Sequence, residues 1–591
     1  MLVLKKERDG SCAIDKGKYM EKKQKYTGGD LTGYLLLGIS VMMLGKSLML
    51  CFSSDIWYDE LFTVGMIEHS YGELIRFTAA DVHPPLYYCI VKLFSELCKL
   101  IVPGADTVVL AKLASILPYG MLILYSVTFI RRRFGMLVSG LFSFCILAMP
   151  QLSAYTVEVR MYGWAMFFVT AAFLHAGELV RSYVNRSAAK SESGPARNAA
   201  GVQKSDTLHA AALVLYGLAA AYTQYFACVA VGMVYLYVLI GFFLQDRSRI
   251  KVWLVCLAVS VAGYAPWLAA LAGQLHAVGE NYWILPLTWR SLGGCVKFLM
   301  KPAFTGAVLS AALAVVLTCG CSAAVFYVGL KGWRDHGKMT ADDKLSHNSR
   351  VLNAHGQKEE EAFFVLAGVG VLAGLVAFGF LASFLFRPVF VYRYMIPAAG
   401  CFWLSVAVAV GELCKPKEKT IEVSGRERAV RTATFAFLFL LIVTGLRDYR
   451  AFMGEEEYKI VCMRETQTAL AQIGPDDSVL YNFDQVQAVT GYYLPETADR
   501  FLWRVEGEKL IQEITTPCGM LEDAEEIRTL LKADQGGNKN TNLWFIGSFN
   551  SRDDIVKEWR DAGLAVEEQG SFLLERYWFN LYKISLSGHT V

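Results

Sequence analysis

Long apolar runs dominate the chain, broken at intervals by short clusters of charged residues. The runs fall at 31–52, 107–130, 135–150, 161–180, 208–225, 226–244, 252–271, 304–330, 362–386, 395–413 and 432–446. Most approach the roughly 20 residues an α-helix needs to cross a bilayer, so the pattern predicts about eleven transmembrane helices. The stretch 86–102, LYYCIVKLFSELCKLIV, is the exception. Lys92, Ser95, Glu96 and Lys99 recur on one helical face of it. A charge at the bilayer centre costs roughly 2.5–3.5 kcal/mol even on a lenient scale, so this segment is expected to lie flat at the interface.

With that segment set aside, the basic clusters alternate onto one side. They are Lys5, Lys6, Arg8, Lys22, Lys23 and Lys25; then Arg131, Arg132 and Arg133; Arg181, Arg186 and Lys190; Arg247, Arg249 and Lys251; Lys331, Arg334 and Lys338; and Lys415, Lys417 and Lys419. Positive loops mark the cytoplasmic side, which predicts a cytoplasmic N-terminus and an extracytoplasmic C-terminus in the plasma membrane. The first run follows a long basic tail and is long enough to span, so it reads as a retained span rather than a cleaved leader. The expected organisation is a cytoplasmic tail at 1–28, a transmembrane module at 29–450 with a first external loop at 53–106, and an external domain at 451–591.

Composition agrees with a membrane protein: 54% of the 591 residues are hydrophobic and 19% charged. A formal net charge of +3 gives no reason to expect a nucleic-acid partner. The 14 cysteines show no CxxC or metal-ligand spacing and read as small apolar residues. Cys462 and Cys518, in the polar C-terminal region, could pair only in an oxidising compartment. In that region strand-like runs at 478–481, 543–546 and 577–584 alternate with amphipathic stretches at 460–473, 525–531 and 555–562, which predicts one small α/β domain. The segments 184–206 and 335–361 read as cytoplasmic loops.

Candidate chemistry gathers in the external segments. Tyr58, Asp59 and Glu60 follow the first span; two adjacent carboxylates there could act as a base, hold a divalent cation, or simply cap a helix. Asp81 and His83 sit before Pro84 and Pro85, which fix the backbone ahead of a helix, so this corner is either a presented pair or a helix start. Glu158 and Arg160, flanked by Tyr155 and Tyr162, are costly at membrane depth unless partnered. Arg393, with Tyr392 and Tyr394, could bind a lipid phosphate or anchor at headgroups. The loop with His276, Glu280, Tyr282, Trp283, Lys297 and Lys301 adds weaker signals.

The order YDELFT, DVHPPLYY, YTVEVRMYGW, YTQYF, PW with a later YW, and RYMIP resembles bacterial membrane glycosyltransferases related to protein O-mannosyltransferases and the lipid A aminoarabinose transferase. The resemblance implies the C-type glycosyltransferase (GT-C) fold: a polytopic α-helical membrane protein, here with a C-terminal extracytoplasmic α/β domain. It further implies an inverting enzyme that takes a hexosyl or pentosyl group from a polyprenyl-phosphate donor. By matching positions, Asp59 is the expected base, with Glu60 and Asp81 as further catalytic carboxylates. His83, Tyr58, Glu158, Arg160, Tyr162 and Tyr394 would bind substrate, and Arg393 the carrier phosphate. Where the family pattern often has an arginine early in the second span, this chain has Lys112, a point charge rather than a fork. No cofactor beyond a divalent cation is suggested. The acceptor would be a lipid, a polysaccharide or a protein. The competing readings are a flippase of lipid-linked saccharides, for which broken midplane helices and internal repeats would be expected, and a membrane scaffold that binds a partner.

Overall fold

A computed structural model describes residues 28–53, 55–191, 197–277, 284–337, 349–415, 424–507, 510, 512, 517–536 and 542–586. The basic tail before residue 28, and Glu280, Tyr282, Trp283, Lys338, Lys417 and Lys419, lie outside these residues.

Among the described residues nine helices are long and apolar enough to cross a membrane: Gly28–Leu50, Thr107–Phe134, Tyr162–Arg181, Tyr225–Gln245, Arg247–Leu275, Ala307–Lys331, Lys358–Leu385, Tyr392–Cys414 and Gly425–Leu470. The chain is an integral membrane protein. Two more of the expected apolar runs differ: 135–150 forms the 13-residue helix Met136–Ala148, and 208–225 falls mostly within Arg197–Ala221. The first span (α1, Gly28–Leu50) and Met136–Ala148 meet backbone to backbone. A methyl group on Gly33 would stand 2.3 Å from the Met136 carbonyl oxygen, and one on Gly140 would stand 2.0 Å from that of Gly33, so this crossing needs glycine on both helices.

The loop after α1 folds into three short helices: α2 (Tyr58–Glu68), α3 (Tyr71–Ala80) and α4 (Leu86–Ile101). Local chemistry starts each one. Ser70 and Glu73 form a reciprocal capping box on α3, and the Pro84–Pro85 corner launches α4, where the Leu86 N–H donates to the Tyr222 carbonyl at 3.0 Å. At 16 residues α4 is about 24 Å long, short of the roughly 30 Å hydrocarbon core. Lys92 and Ser95 on its polar face turn inward, Lys92 donating to the Ile67 carbonyl at 3.0 Å and pairing at 2.9 Å with Glu96, which stays exposed. Leu93, Leu97, Leu100 and Ile101 are left exposed, an apolar stripe suited to lipid. The next helix, α5 (Thr107–Tyr125), is capped by the Asp106 carboxylate, which accepts from the Val108 and Val109 N–H groups.

The last span does not end at the membrane. The helix Gly425–Leu470 runs for 46 residues, about 69 Å, straight into the C-terminal domain, so the expected boundary near residue 450 falls within one continuous helix. The domain is built on a six-stranded sheet of order β3-β2-β1-β4-β6-β5, with β1 Ser478–Tyr481, β2 Asp499–Trp503, β3 Gly519–Leu521, β4 Leu543–Ser548, β5 Leu564–Leu574 and β6 Tyr577–Leu586. The first four strands are parallel; β6 runs antiparallel to β4 and β5. The helices Ala524–Gly536 and Ser551–Asp561 cover one face through Ile527, Leu531, Val556 and Trp559. The end of Gly425–Leu470 and the helix Asp484–Gly491 cover the other through Met463, Leu470, Val486 and Val489. Burial on both faces explains why β1 and β4 read as unbroken apolar runs. Cys462 and Cys518 are both free thiols.

Candidate active site

The site forms where the first turn of α2 meets two segments distant in sequence. Asp59 is the second residue of α2, and its carboxylate lies 3.3 Å from Arg393 and 3.7 Å from Arg160. Arg393 comes from the 3₁₀ turn Tyr392–Met395 that opens a later span, and Arg160 from the turn before the span Tyr162–Arg181. A further Arg160 N–H donates to the Asp59 backbone carbonyl at 3.1 Å. Arg160 is therefore held to the helix start by both backbone and side chain.

The chain of contacts continues beyond Arg160. Its Nη2 donates to His83 Nε2 at 3.5 Å, and His83 Nδ1 meets the Asp81 carboxylate at 2.9 Å. An imidazole that accepts at Nε2 donates from Nδ1, so Asp81 fixes the tautomer. Burial opposes charge on Asp81, but the His83 charge and hydrogen bond, the Val82 N–H and Arg160 more than offset it and hold its carboxyl below the usual range. Five candidates read from the sequence are thus joined in one network: Asp81, His83, Arg160, Asp59 and Arg393.

Glu60 points elsewhere. It is only 3% exposed, and its two carboxylate oxygens accept from the Val159 N–H at 2.7 Å and the Trp57 N–H at 3.1 Å. Burial raises its pKa, Lys112 opposes the rise and Glu575 adds to it. Glu60 ties the α2 N-terminus to the segment carrying Glu158 and Arg160. Lys112 lies below this group, 2% exposed, donating to the Asp55 carbonyl.

Glu158 is the carboxyl without a bond. Among the described residues nothing hydrogen-bonds or ion-pairs with its side chain. Burial first, and then the nearby Glu60 charge, push its pKa up to about 7 against the opposing pull of Arg576, Arg160 and Arg393. The surroundings are aromatic. Tyr162 is 1% exposed and packs edge-on to Tyr155 at 5.3 Å, and Tyr394 stacks on Phe226 at 4.8 Å. The hydroxyls of Tyr88, Tyr119 and Tyr162 are buried with no hydrogen-bond partner among the described residues, a state that bound polar ligands relieve.

Tyr58 joins the two halves of the molecule, packing against the cores of both the membrane module and the C-terminal domain. Several residues here carried no local signal in sequence. The Asp55 carboxylate accepts from the Glu575 N–H at 3.0 Å, and Lys459 pairs with Glu575 at 3.3 Å. Burial, and then the neighbouring Glu575 charge, raise the Asp55 pKa. Asp55, Lys459, Glu575 and Arg576 meet only after the C-terminal domain docks.

A divalent cation finds no donor set among these carboxylates: Asp59 is taken by two arginines, Glu60 by backbone N–H groups and Asp81 by His83. Among the described residues no group of three or more His, Cys, Asp or Glu side chains could hold a metal ion.

No family model matches the chain, and no curated protein matches it. Among solved structures the chain is similar to the archaeal oligosaccharyltransferase AglB from Archaeoglobus fulgidus, in complex with an inhibitory peptide and a dolichol-phosphate, at 10% identity over 87% of this chain and 69% of that one, with a TM-score of 0.39. It is also similar to ArnT from Cupriavidus metallidurans in the apo state, at 13% identity over 93% of this chain and 98% of that one, with a TM-score of 0.46. The same ArnT bound to undecaprenyl phosphate is similar at 13% identity over 94% and 98% of the two chains, with a TM-score of 0.47.

Proposed function

We propose that this chain is an inverting glycosyltransferase that moves a sugar from a polyprenyl-phosphate donor to an acceptor hydroxyl on the extracytoplasmic face. The observation that carries the reading is the convergence of Arg160 and Arg393 on Asp59 at the start of α2. Two guanidinium groups beside one carboxylate place cationic hydrogen-bond donors next to a base. An anionic leaving group and a nucleophile that must lose a proton need that combination.

In the reaction the acceptor hydroxyl gives its proton to Asp59 as its oxygen bonds to the sugar C1 from the face opposite the phosphate. The C1–O bond to phosphate breaks, its electron pair leaves with polyprenyl phosphate, and the configuration at C1 inverts. Arg393 and Arg160 stabilise the departing charge. As the phosphate draws their guanidinium groups away, Asp59 is released to accept the proton. Asp81 and His83 keep Arg160 in place. The lipid tail stays among the spans, with α4 and its exposed apolar stripe at the membrane surface. The sugar stacks near Tyr162 and Tyr394. The acceptor is a lipid, a polysaccharide or a protein.

A second assignment of the base is favoured by one observation: among the described residues Glu158 has no hydrogen-bond or ion-pair partner, and its pKa is raised to about 7, close to where a general base works best. Asp59→Asn and Glu158→Gln separate the two. Full-length protein in nanodiscs is offered a panel of undecaprenyl-phosphate sugars together with cell-envelope lipid, polysaccharide and protein fractions as acceptors, and acceptor-dependent release of undecaprenyl phosphate is followed. Loss of about 10²–10⁴-fold in turnover for Asp59→Asn, with a smaller loss for Glu158→Gln, is the expected result. The reverse ranking moves the base to Glu158. Wild-type turnover in Asp59→Asn removes Asp59 as the base, and no release of undecaprenyl phosphate by the wild type, together with movement of the intact lipid-linked sugar between leaflets, would replace transfer by transport.

A further inference from the structure

The tip of the β5–β6 hairpin in the C-terminal domain is inserted against the segment that leads into α2. Three contacts hold it. The Glu575 N–H donates to the Asp55 carboxylate at 3.0 Å. The Tyr577 hydroxyl accepts from the Tyr58 backbone N–H and donates to Gln485 at 3.1 Å. Between them the Arg576 guanidinium lies over the Trp57 ring, its Cζ 3.9 Å from the centroid. Glu575 sits at φ +51°, in the left-handed region that side-chain-bearing residues rarely adopt, and Lys459 pins its carboxylate at 3.3 Å. A strained turn held by this many contacts presents Arg576 in a fixed place.

Trp57 is the N-cap residue of α2, two positions before Asp59. Stacking on the indole covers one face of the guanidinium and leaves the N–H edge open. Among the described residues no carboxylate oxygen lies within ion-pairing distance of Arg576, and the residue is exposed. Its field nonetheless reaches Glu158 and Tyr155. Stacked on the indole and not ion-paired among the described residues, the Arg576 guanidinium keeps hydrogen-bonding capacity for a negative ligand.

We propose that Arg576 is a donor-binding residue that the C-terminal domain lends to the membrane module, its open edge taking the phosphate of the lipid-linked donor. This rests on the transferase reading above and gives the C-terminal domain a part in the active site. The ligand chemistry is a phosphate ester, and the source is the lipid headgroup rather than free phosphate.

Full-length protein in nanodiscs is titrated with undecaprenyl phosphate, undecaprenol and inorganic phosphate, using wild type, Arg576→Ala and Arg576→Lys, with a thermal melt of each. The wild type is expected to prefer undecaprenyl phosphate over undecaprenol. Arg576→Ala should weaken undecaprenyl phosphate about tenfold or more without moving undecaprenol. Arg576→Lys, which keeps the charge but not the fork, should fall between. Unchanged undecaprenyl phosphate binding in Arg576→Ala overturns the inference and leaves the transferase reading standing. Equal weakening of both lipids also overturns it, since that marks Arg576 as a hairpin brace. Arg576-dependent binding of inorganic phosphate alone assigns the group to a soluble anion and overturns the lipid source. A wild type that does not distinguish the two lipids sinks both readings.

Discussion

Lys112→Met separates a buried scaffold from a phosphate ligand at a position where the resembled pattern often has an arginine. Lys112 is 2% exposed, among the largest fully buried side chains, and donates to the Asp55 carbonyl. Asp55, Glu60, Glu456 and Glu575 all feel its charge. Methionine matches the length of the stem and removes only the ammonium. The acidic groups then keep a buried negative charge with less to balance it, and removing one partner of such a set costs about 3–5 kcal/mol. Protonation of Asp55, already favoured by burial, returns part of that, so about 2–4 kcal/mol is expected from the same principle. The loss should show as a lower midpoint in a detergent thermal melt, with undecaprenyl phosphate binding per folded molecule unchanged. It should also be larger at pH 8 than at pH 6, because more of the carboxyls are ionised at the higher pH. A Lys112→Met protein that melts like wild type but no longer binds undecaprenyl phosphate would refute this account and make Lys112 a phosphate ligand.

Two further outcomes are expected. Gly140→Ala forces α1 away from Met136–Ala148, because the new methyl would stand 2.0 Å from the Gly33 carbonyl oxygen. It should cost about 1–3 kcal/mol, read as a lower melting midpoint, and a neutral Gly140→Ala would show that these helices pack less closely. For Glu158, the folded pKa of about 7 exceeds the ordinary carboxyl value of 4.5, so the folded state binds the extra proton. Its contribution is full below pH 4.5 and is lost as pH rises through about 7. Wild-type melting midpoints should therefore fall across that window more than those of Glu158→Gln. In turnover, a donor KM that rises through pH 7 fits Glu158 as a cavity wall repelling phosphate, and a kcat that rises there fits it as the base.

The membrane architecture was legible because it is written in local properties. Hydrocarbon demands internally bonded backbone, so an apolar run of sufficient length carries its own signature, and the Lys92, Ser95, Glu96 and Lys99 pattern disclosed that 86–102 is not such a run. The helix starts at the Asp59–Glu60 pair and at the Pro84–Pro85 corner and the buried parallel strands β1 and β4 were legible from local pattern too, whereas the break between α2 and α3 at Ser70 was not. Strands β2, β3 and β5 were not, since Asp499–Trp503 is mixed in polarity, Gly519–Leu521 is three residues long, and Leu564–Leu574 faces solvent along much of its length. Their strand state comes from pairing with neighbours.

The sequence by itself predicts the acidic and basic candidates on one side of the membrane and supplies their order. It could not say which carboxylate meets which cation. Asp59 and Glu60 are adjacent, but successive residues on a helix face different ways, and only packing sent one to Arg160 and Arg393 and the other to the Val159 N–H. The role of Arg576 was hidden more deeply, because it lies over 500 residues from Trp57 along the chain and depends on how a separate domain docks. Contacts made by docking obey shape and charge over the whole surface, and no local window of sequence records them.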